Sequence, residues 1–166
     1  MINNIPIFLD IDGVMQSTAS TLAGAKLAEA RRPASFSNLR ATQATALLLR
    51  LQNFHAPKVQ WWISSSWCNY APADDLKAAF EDLLGFKNVH VCGSGMGRLE
   101  RVRSVLAELS KPQYDASIII DDSSAFKGTD LESRWVEINS DNGFDATSYF
   151  QTLKLLGVKK KEFFLW

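Results

Sequence analysis

The stretch Ile7-Phe8-Leu9-Asp10-Ile11-Asp12-Gly13-Val14 constrains the fold more than any other. It is an apolar strand that stays buried until its carboxyl end, where it releases two aspartates and then a glycine. In open α/β sheets that end is where ligands bind. Two carboxylates so close together repel one another unless a cation or a shared proton relieves them. The chemistry they suit is Mg²⁺ binding with nucleophilic attack by one of them on phosphorus.

Three further strand ends repeat the theme. Ile118-Ile119-Ile120-Asp121-Asp122 again runs apolar and stops at paired aspartates. Val59-Gln60-Trp61-Trp62-Ile63 runs into Ser64-Ser65-Ser66-Trp67 and so ends in hydroxyls. Gly93-Ser94-Gly95-Met96-Gly97-Arg98 is a glycine-rich loop that delivers a cation. Between these points strands and helices alternate, as in a parallel sheet covered on both faces. Strands are expected at 6–11, 59–63, 89–92, 117–120 and 135–138. Helices are expected at 38–54 (capped by Ser37 or Asn38), 73–84 (stopped by Gly85), 98–109, and from a cap at Asp145 to Leu156.

With 166 residues the chain suffices for a single domain with a substantial core. Lys plus Arg and Asp plus Glu both number 18, so the balance itself predicts neither a nucleic-acid nor a membrane partner. Cys68 and Cys92 are too few for a disulfide framework, and no basic-then-apolar leader opens the sequence. A reducing, cytoplasmic setting is expected. Histidine and cysteine do not cluster, which argues against zinc. Cys68 lacks a base partner in His55 or His90, which are expected at a helix end and in a strand.

The order Asp-x-Asp, Ser, Arg, Asp-Asp resembles the haloacid dehalogenase-like (HAD) superfamily of phosphohydrolases. Trp67 after the serines, Arg98-x-x-x-Val102, Ile120-Asp121-Asp122 and Asn142-Gly143-Phe144-Asp145 resemble one branch, the HAD domain of Swiss Army Knife RNA-repair proteins. Two positions depart from that branch: Cys68 stands where it often has a basic residue, and Arg98 where it has lysine. The resemblance implies a three-layer Rossmann-like α/β sandwich with a five-stranded parallel core sheet in the order 5-4-1-2-3. It implies an aspartyl-phosphate mechanism, with Asp10 as nucleophile and Asp12 as general acid/base. Ser64, with Ser65 as the fallback or as a further N–H donor, and Arg98 would contact phosphate. Asp10, the backbone carbonyl of Asp12 and the Asp121/Asp122 pair would hold Mg²⁺, Asp122 being favoured for direct contact. Arg101, one helical turn beyond Arg98, is the rival phosphate ligand and is otherwise expected to face solvent or a carboxylate.

The chain should be one HAD-like domain over 1–166, with a small flap near 15–36 in place of a full cap. The expected substrate is a phosphomonoester, either a small molecule or a nucleic-acid end in RNA or DNA repair. A catalytically silent Mg²⁺/phosphate-binding module is the alternative outside enzymes. A signalling receiver domain fails on the order of the motifs, and a dinucleotide loop fails on the glycine spacing. Trp61, Trp62 and Trp67 are expected to serve core and rim packing. The aromatic tail Phe163-Phe164-Leu165-Trp166 is expected to tuck onto the core, with a homodimer contact as its other use.

Overall fold

The structure is a computed structural model and describes residues 4–17, 41–55 and 59–158. Five parallel strands form one sheet: β1 (Ile5–Leu9), β2 (Val59–Ile63), β3 (Val89–Val91), β4 (Ile118–Asp121) and β5 (Trp135–Glu137). Their order is β3-β2-β1-β4-β5, the expected order read from the other edge. Successive side chains of a strand point to opposite faces. Ile7, Phe8 and Leu9 are all fully buried, as are Ile119 and Ile120, so both faces of the central strands are covered. That is the three-layer α/β arrangement.

The covering elements are helices α1 (Gln43–His55), α2 (Ala73–Ala78, continued by a π turn at Ala79–Leu83), α3 (Arg98–Leu106), α4 (Lys111–Ala116) and α5 (Ala146–Leu155). Helices α1 and α5 pack together, α2 packs on β3, and α4 packs on β1. Helix α1 begins later than the sequence suggests. Thr42 Oγ1 accepts from the Thr45 N–H at 3.2 Å, and Thr45 Oγ1 accepts from the Thr42 N–H at 3.1 Å, a reciprocal cap. Ser37 and Asn38 lie outside the described residues. The same Thr42 hydroxyl donates to the Met15 carbonyl at 2.8 Å and so ties the start of α1 to the loop after β1. Helix α5 is capped as expected, with Asp145 Oδ1 accepting from the Ser148 N–H at 2.9 Å.

One helix escaped the sequence pattern. The helix expected over 98–109 ends at Leu106, and the short α4 follows after a turn. Its signature is Ser110 two residues before Pro112, with the Ser110 hydroxyl donating to Gln113 Oε1 at 2.8 Å.

The aromatic core lies between β2 and the end of α2, where Trp61 meets Phe86 edge-on at 5.1 Å and Phe86 meets Phe80 at 5.3 Å. Buried Gln52 serves this cluster, accepting from Trp61 Nε1 at 3.0 Å and from the Lys87 N–H at 2.7 Å. No described helix is long and apolar enough to cross a membrane. Apart from its first residues, the expected flap near 15–36 lies outside the described residues, as does the aromatic tail.

Candidate active site

Strand register builds the site. Leu9 lies beside Ile63 on one side and Ile120 on the other. The next residue on each strand is therefore Asp10, Ser64 or Asp121, and the three emerge in a row at the carboxyl edge. Backbone bonds carry the pairing that one step further. Ser64 N–H donates to the Leu9 carbonyl at 3.0 Å and Asp10 N–H to the Ile120 carbonyl at 3.1 Å. Each apolar run stops where the buried sheet stops, which is why polar groups appear together there.

The row is buried. Asp10 and Asp121 are 0% exposed, and Ser64 is almost as enclosed. Arg98 enters from the first turn of α3. Its Nη1 donates to Asp10 Oδ2 at 2.6 Å, Asp121 Oδ1 at 2.6 Å and Asp122 Oδ1 at 2.9 Å. One nitrogen thus holds three carboxylates. Asp121 is fixed further, as its Oδ1 accepts from the Ser123 N–H at 2.8 Å and its carbonyl accepts from Trp135 Nε1 at 2.9 Å.

Burial, followed by the neighbouring Asp121 charge, raises the Asp10 carboxyl to about 7, although Arg98 pulls the other way. Asp121 is likewise raised by burial against the pull of Arg98. Burial works against the charge on Arg98, but Asp121 and Asp10 more than offset it and raise its pKa. Burial pushes the Cys68 thiol up to about 11, so it is a poor nucleophile and packs instead, its Sγ donating to the Ile63 carbonyl at 3.2 Å.

Three buried polar atoms here have no hydrogen-bond partner among the described residues: Asp10 Oδ1, Asp121 Oδ2 and Ser64 Oγ. Buried polar groups are nearly always satisfied, so three orphans at one edge mark a place where a polar ligand belongs. Asp10, Asp121 and Asp122 offer oxygens that all lie within 4.8 Å of one another. An all-oxygen set of this charge fits a hard cation such as Mg²⁺.

The glycine of the first motif keeps the cluster open. Gly13 has φ +78°, and a Cβ there would fall 2.1 Å from Asp122 Oδ2. The backbone loop behind it is tight, with the Ile11 carbonyl accepting from the N–H groups of Met15 at 2.9 Å and Gln16 at 3.1 Å. Gly143, φ +70°, stands against the same loop, where its Cβ would meet the Val14 carbonyl at 2.8 Å.

Asp12 does not join the three clustered carboxylates. It is exposed, and its Oδ2 accepts from Trp67 Nε1 at 2.9 Å. Trp67 is therefore more than rim packing. Its place follows from the 3₁₀ turn Ser66–Asn69, capped by Ser65, whose Oγ accepts from the Trp67 N–H at 3.4 Å. Nothing in the spacing reveals this contact; the visible signal was an indole directly after the hydroxyl run.

Arg101 differs from expectation. It is 2% exposed, and its partners among the described residues are neutral oxygens, not a carboxylate. Its Nε donates to the Ser64 carbonyl at 2.9 Å, and its Nη1 donates to the Met96 carbonyl and, at 3.5 Å, to Asn69 Oδ1. The residue clamps the end of β2 to the glycine loop. Asn69 Oδ1 also accepts from the Gly95 N–H at 2.8 Å, which strengthens that clamp.

No curated protein and no solved structure matches the chain. A family model does match, over residues 6–149, and its description is "HAD domain in Swiss Army Knife RNA repair proteins". That span runs from β1 into α5 and contains Asp10, Asp12, Ser64, Arg98, Asp121 and Asp122. A match over most of the length, on a five-stranded parallel sheet with an acidic cluster at its carboxyl edge, makes this chain a member of the HAD domain family of Swiss Army Knife RNA repair proteins.

Proposed function

We propose that the chain is a Mg²⁺-dependent phosphomonoester hydrolase working through an aspartyl-phosphate on Asp10. The observation that carries this reading is the convergence of Asp10, Asp121, Asp122, Ser64 and Arg98 on one edge, with three buried polar atoms unpartnered.

The carboxylates of Asp10, Asp121 and Asp122 and the backbone carbonyl of Asp12 would hold Mg²⁺. Bound there, it supplies positive charge against the phosphoryl oxygens and screens the carboxylates from one another. Asp10 Oδ1, the oxygen not engaged by Arg98, attacks phosphorus. A bond forms between Asp10 and phosphorus as the ester P–O bond breaks, and Asp12 gives the leaving oxygen a proton. Asp12 then takes a proton from water as that water attacks phosphorus and frees Asp10. The Ser64 hydroxyl, the Ser65 N–H and Arg98 bind the phosphoryl oxygens.

The family's description favours a phosphorylated RNA end as the ester, as a second and narrower reading. The test is hydrolysis of 4-nitrophenyl phosphate, sugar phosphates and 3′- or 5′-phosphorylated oligonucleotides, with Mg²⁺ and with EDTA, by wild type and Asp10→Asn. Turnover that needs Mg²⁺ and vanishes in Asp10→Asn is expected. Equal turnover by Asp10→Asn would refute the covalent step, and inactivity of the wild type on every ester would leave a silent binding module.

A further inference from the structure

We propose that Trp67 is the positioning residue for Asp12: its indole N–H fixes the carboxyl rotamer and leaves Oδ1 as the oxygen that carries the proton. The proposal rests on the hydrolase reading above. Its own observation is the 2.9 Å bond from Trp67 Nε1 to Asp12 Oδ2.

An exposed carboxyl at the tip of a loop has free rotation about its side-chain bonds unless something holds it. The Asp12 backbone is already fixed by the tight turn, in which Gly13 N–H donates to the Gln16 carbonyl at 2.7 Å. The side chain gains its hold from the indole. An indole N–H can only donate. The oxygen it meets must accept, and the carbonyl oxygen of a protonated carboxyl is the better acceptor, so the indole favours a proton on the other oxygen. Oδ1 is therefore the atom that gives its proton to the leaving group and later takes one from water.

Trp67 can set a position because it does not float. Its turn is pinned by the Ser65 cap, by buried Cys68 on the Ile63 carbonyl and by Asn69 on the Gly95 N–H. The same turn directly follows Ser64 and Ser65. The proton-transfer group and the phosphate-contacting hydroxyl are thus referenced to a single rigid element at the end of β2. A loose general acid loses part of the 10²–10⁴-fold that a well-placed one contributes.

Two readouts test this. The first needs no activity. In the indole region of a ¹H–¹⁵N spectrum, the signal that disappears in Trp67→Phe identifies Trp67. In Asp12→Ala, which alters an exposed side chain, that signal should move upfield in the proton dimension as the hydrogen bond is lost. A signal that stays in place overturns the contact and the proposal. The second readout is leaving-group dependence of kcat/KM, which reports the steps up to formation of the phosphoenzyme. Trp67→Phe keeps an aromatic ring, though a smaller one, and removes the donor. It should cost about 10–100-fold on an alkyl phosphate and under about threefold on 4-nitrophenyl phosphate, whose leaving group needs no proton. Equal losses on both esters mean a merely structural role and overturn the proposal. A wild type inactive on both, with the indole signal still responding to Asp12→Ala, overturns the hydrolase reading and this role with it.

Discussion

Arg98 and Arg101 sit one turn apart on α3, and their guanidinium groups do opposite work. Arg98 is partly open, its side chain 27% exposed, and gives one nitrogen to three carboxylates. Arg101 is almost fully enclosed and gives its nitrogens to neutral oxygens, two of them backbone carbonyls. The first is an electrostatic partner in an open site and, on the proposed function, would trade a carboxylate for a phosphate. The second is a structural brace whose charge is solvated by peptide dipoles. One residue type on one helix thus serves an acidic cluster and a scaffold, and the neighbours decide which.

That contrast breaks first at the level of catalysis. Arg98→Ala should lower kcat/KM by about 10²–10³, the usual loss for a transition-state contact to developing charge. Its unfolding midpoint in Mg²⁺ should stay near wild type, because the proposed cation would still neutralise the carboxylates. Steady-state kinetics with a urea titration in Mg²⁺ checks both halves. A large midpoint shift with intact kcat/KM would assign Arg98 to the scaffold and erase the distinction.

Arg101→Met tests the other half. It keeps much of the aliphatic volume but leaves the Ser64 and Met96 carbonyls without their donor. The buried Ser64 carbonyl left unsatisfied costs about 1–3 kcal/mol, whereas the half-buried Met96 carbonyl can turn to water, so a loss of about 1–3 kcal/mol is expected in urea unfolding. Activity should fall less than in Arg98→Ala while the protein is folded. If Arg101→Met is as stable as wild type but inactive, Arg101 is the phosphate ligand and the third motif is displaced by one turn.

The two arginines also mark where the sequence is legible and where it is not. The cluster residues Asp10, Ser64, Arg98, Asp121 and Asp122 could be read because each follows an apolar run or a glycine loop, and the end of a buried run is a local property. Parallel pairing without slippage then aligns those ends, as Leu9 with Ile63 and Ile120 shows. The partner of Arg101 could not be read, since its spacing on α3 suits a solvent face as well as a carbonyl cage on another element. The contact between Trp67 and Asp12 was hidden for the same reason, because it joins loops after different strands. Helix α4 was missed on different grounds: six residues are too few for a periodic pattern, and only its Ser110 cap and Pro112 speak for it.

The finest test separates the arginines by pH in metal-free protein. The Asp10 carboxyl is raised to about 7 from its ordinary 3.8, chiefly by burial and then by Asp121, with Arg98 lowering it. Between those values the native state binds the proton that the unfolded chain has released. Stability from this group is therefore fully present below about pH 4 and is lost as pH rises through about 7, at no more than about 1.4 kcal/mol per pH unit. Removing Arg98 takes away the cation that restrains the shift, so in Arg98→Ala the loss should continue to higher pH. Arg98 is the cation that most lowers Asp10, and Arg101 is not among the largest influences on it, so Arg101→Met should be less stable throughout but run close to parallel with wild type. Urea unfolding in EDTA from pH 5 to pH 9 gives the three curves. Arg98→Ala parallel to wild type, or Arg101→Met bending away from it, would mean that the charge felt by Asp10 comes from the brace and not from the partner in the open site.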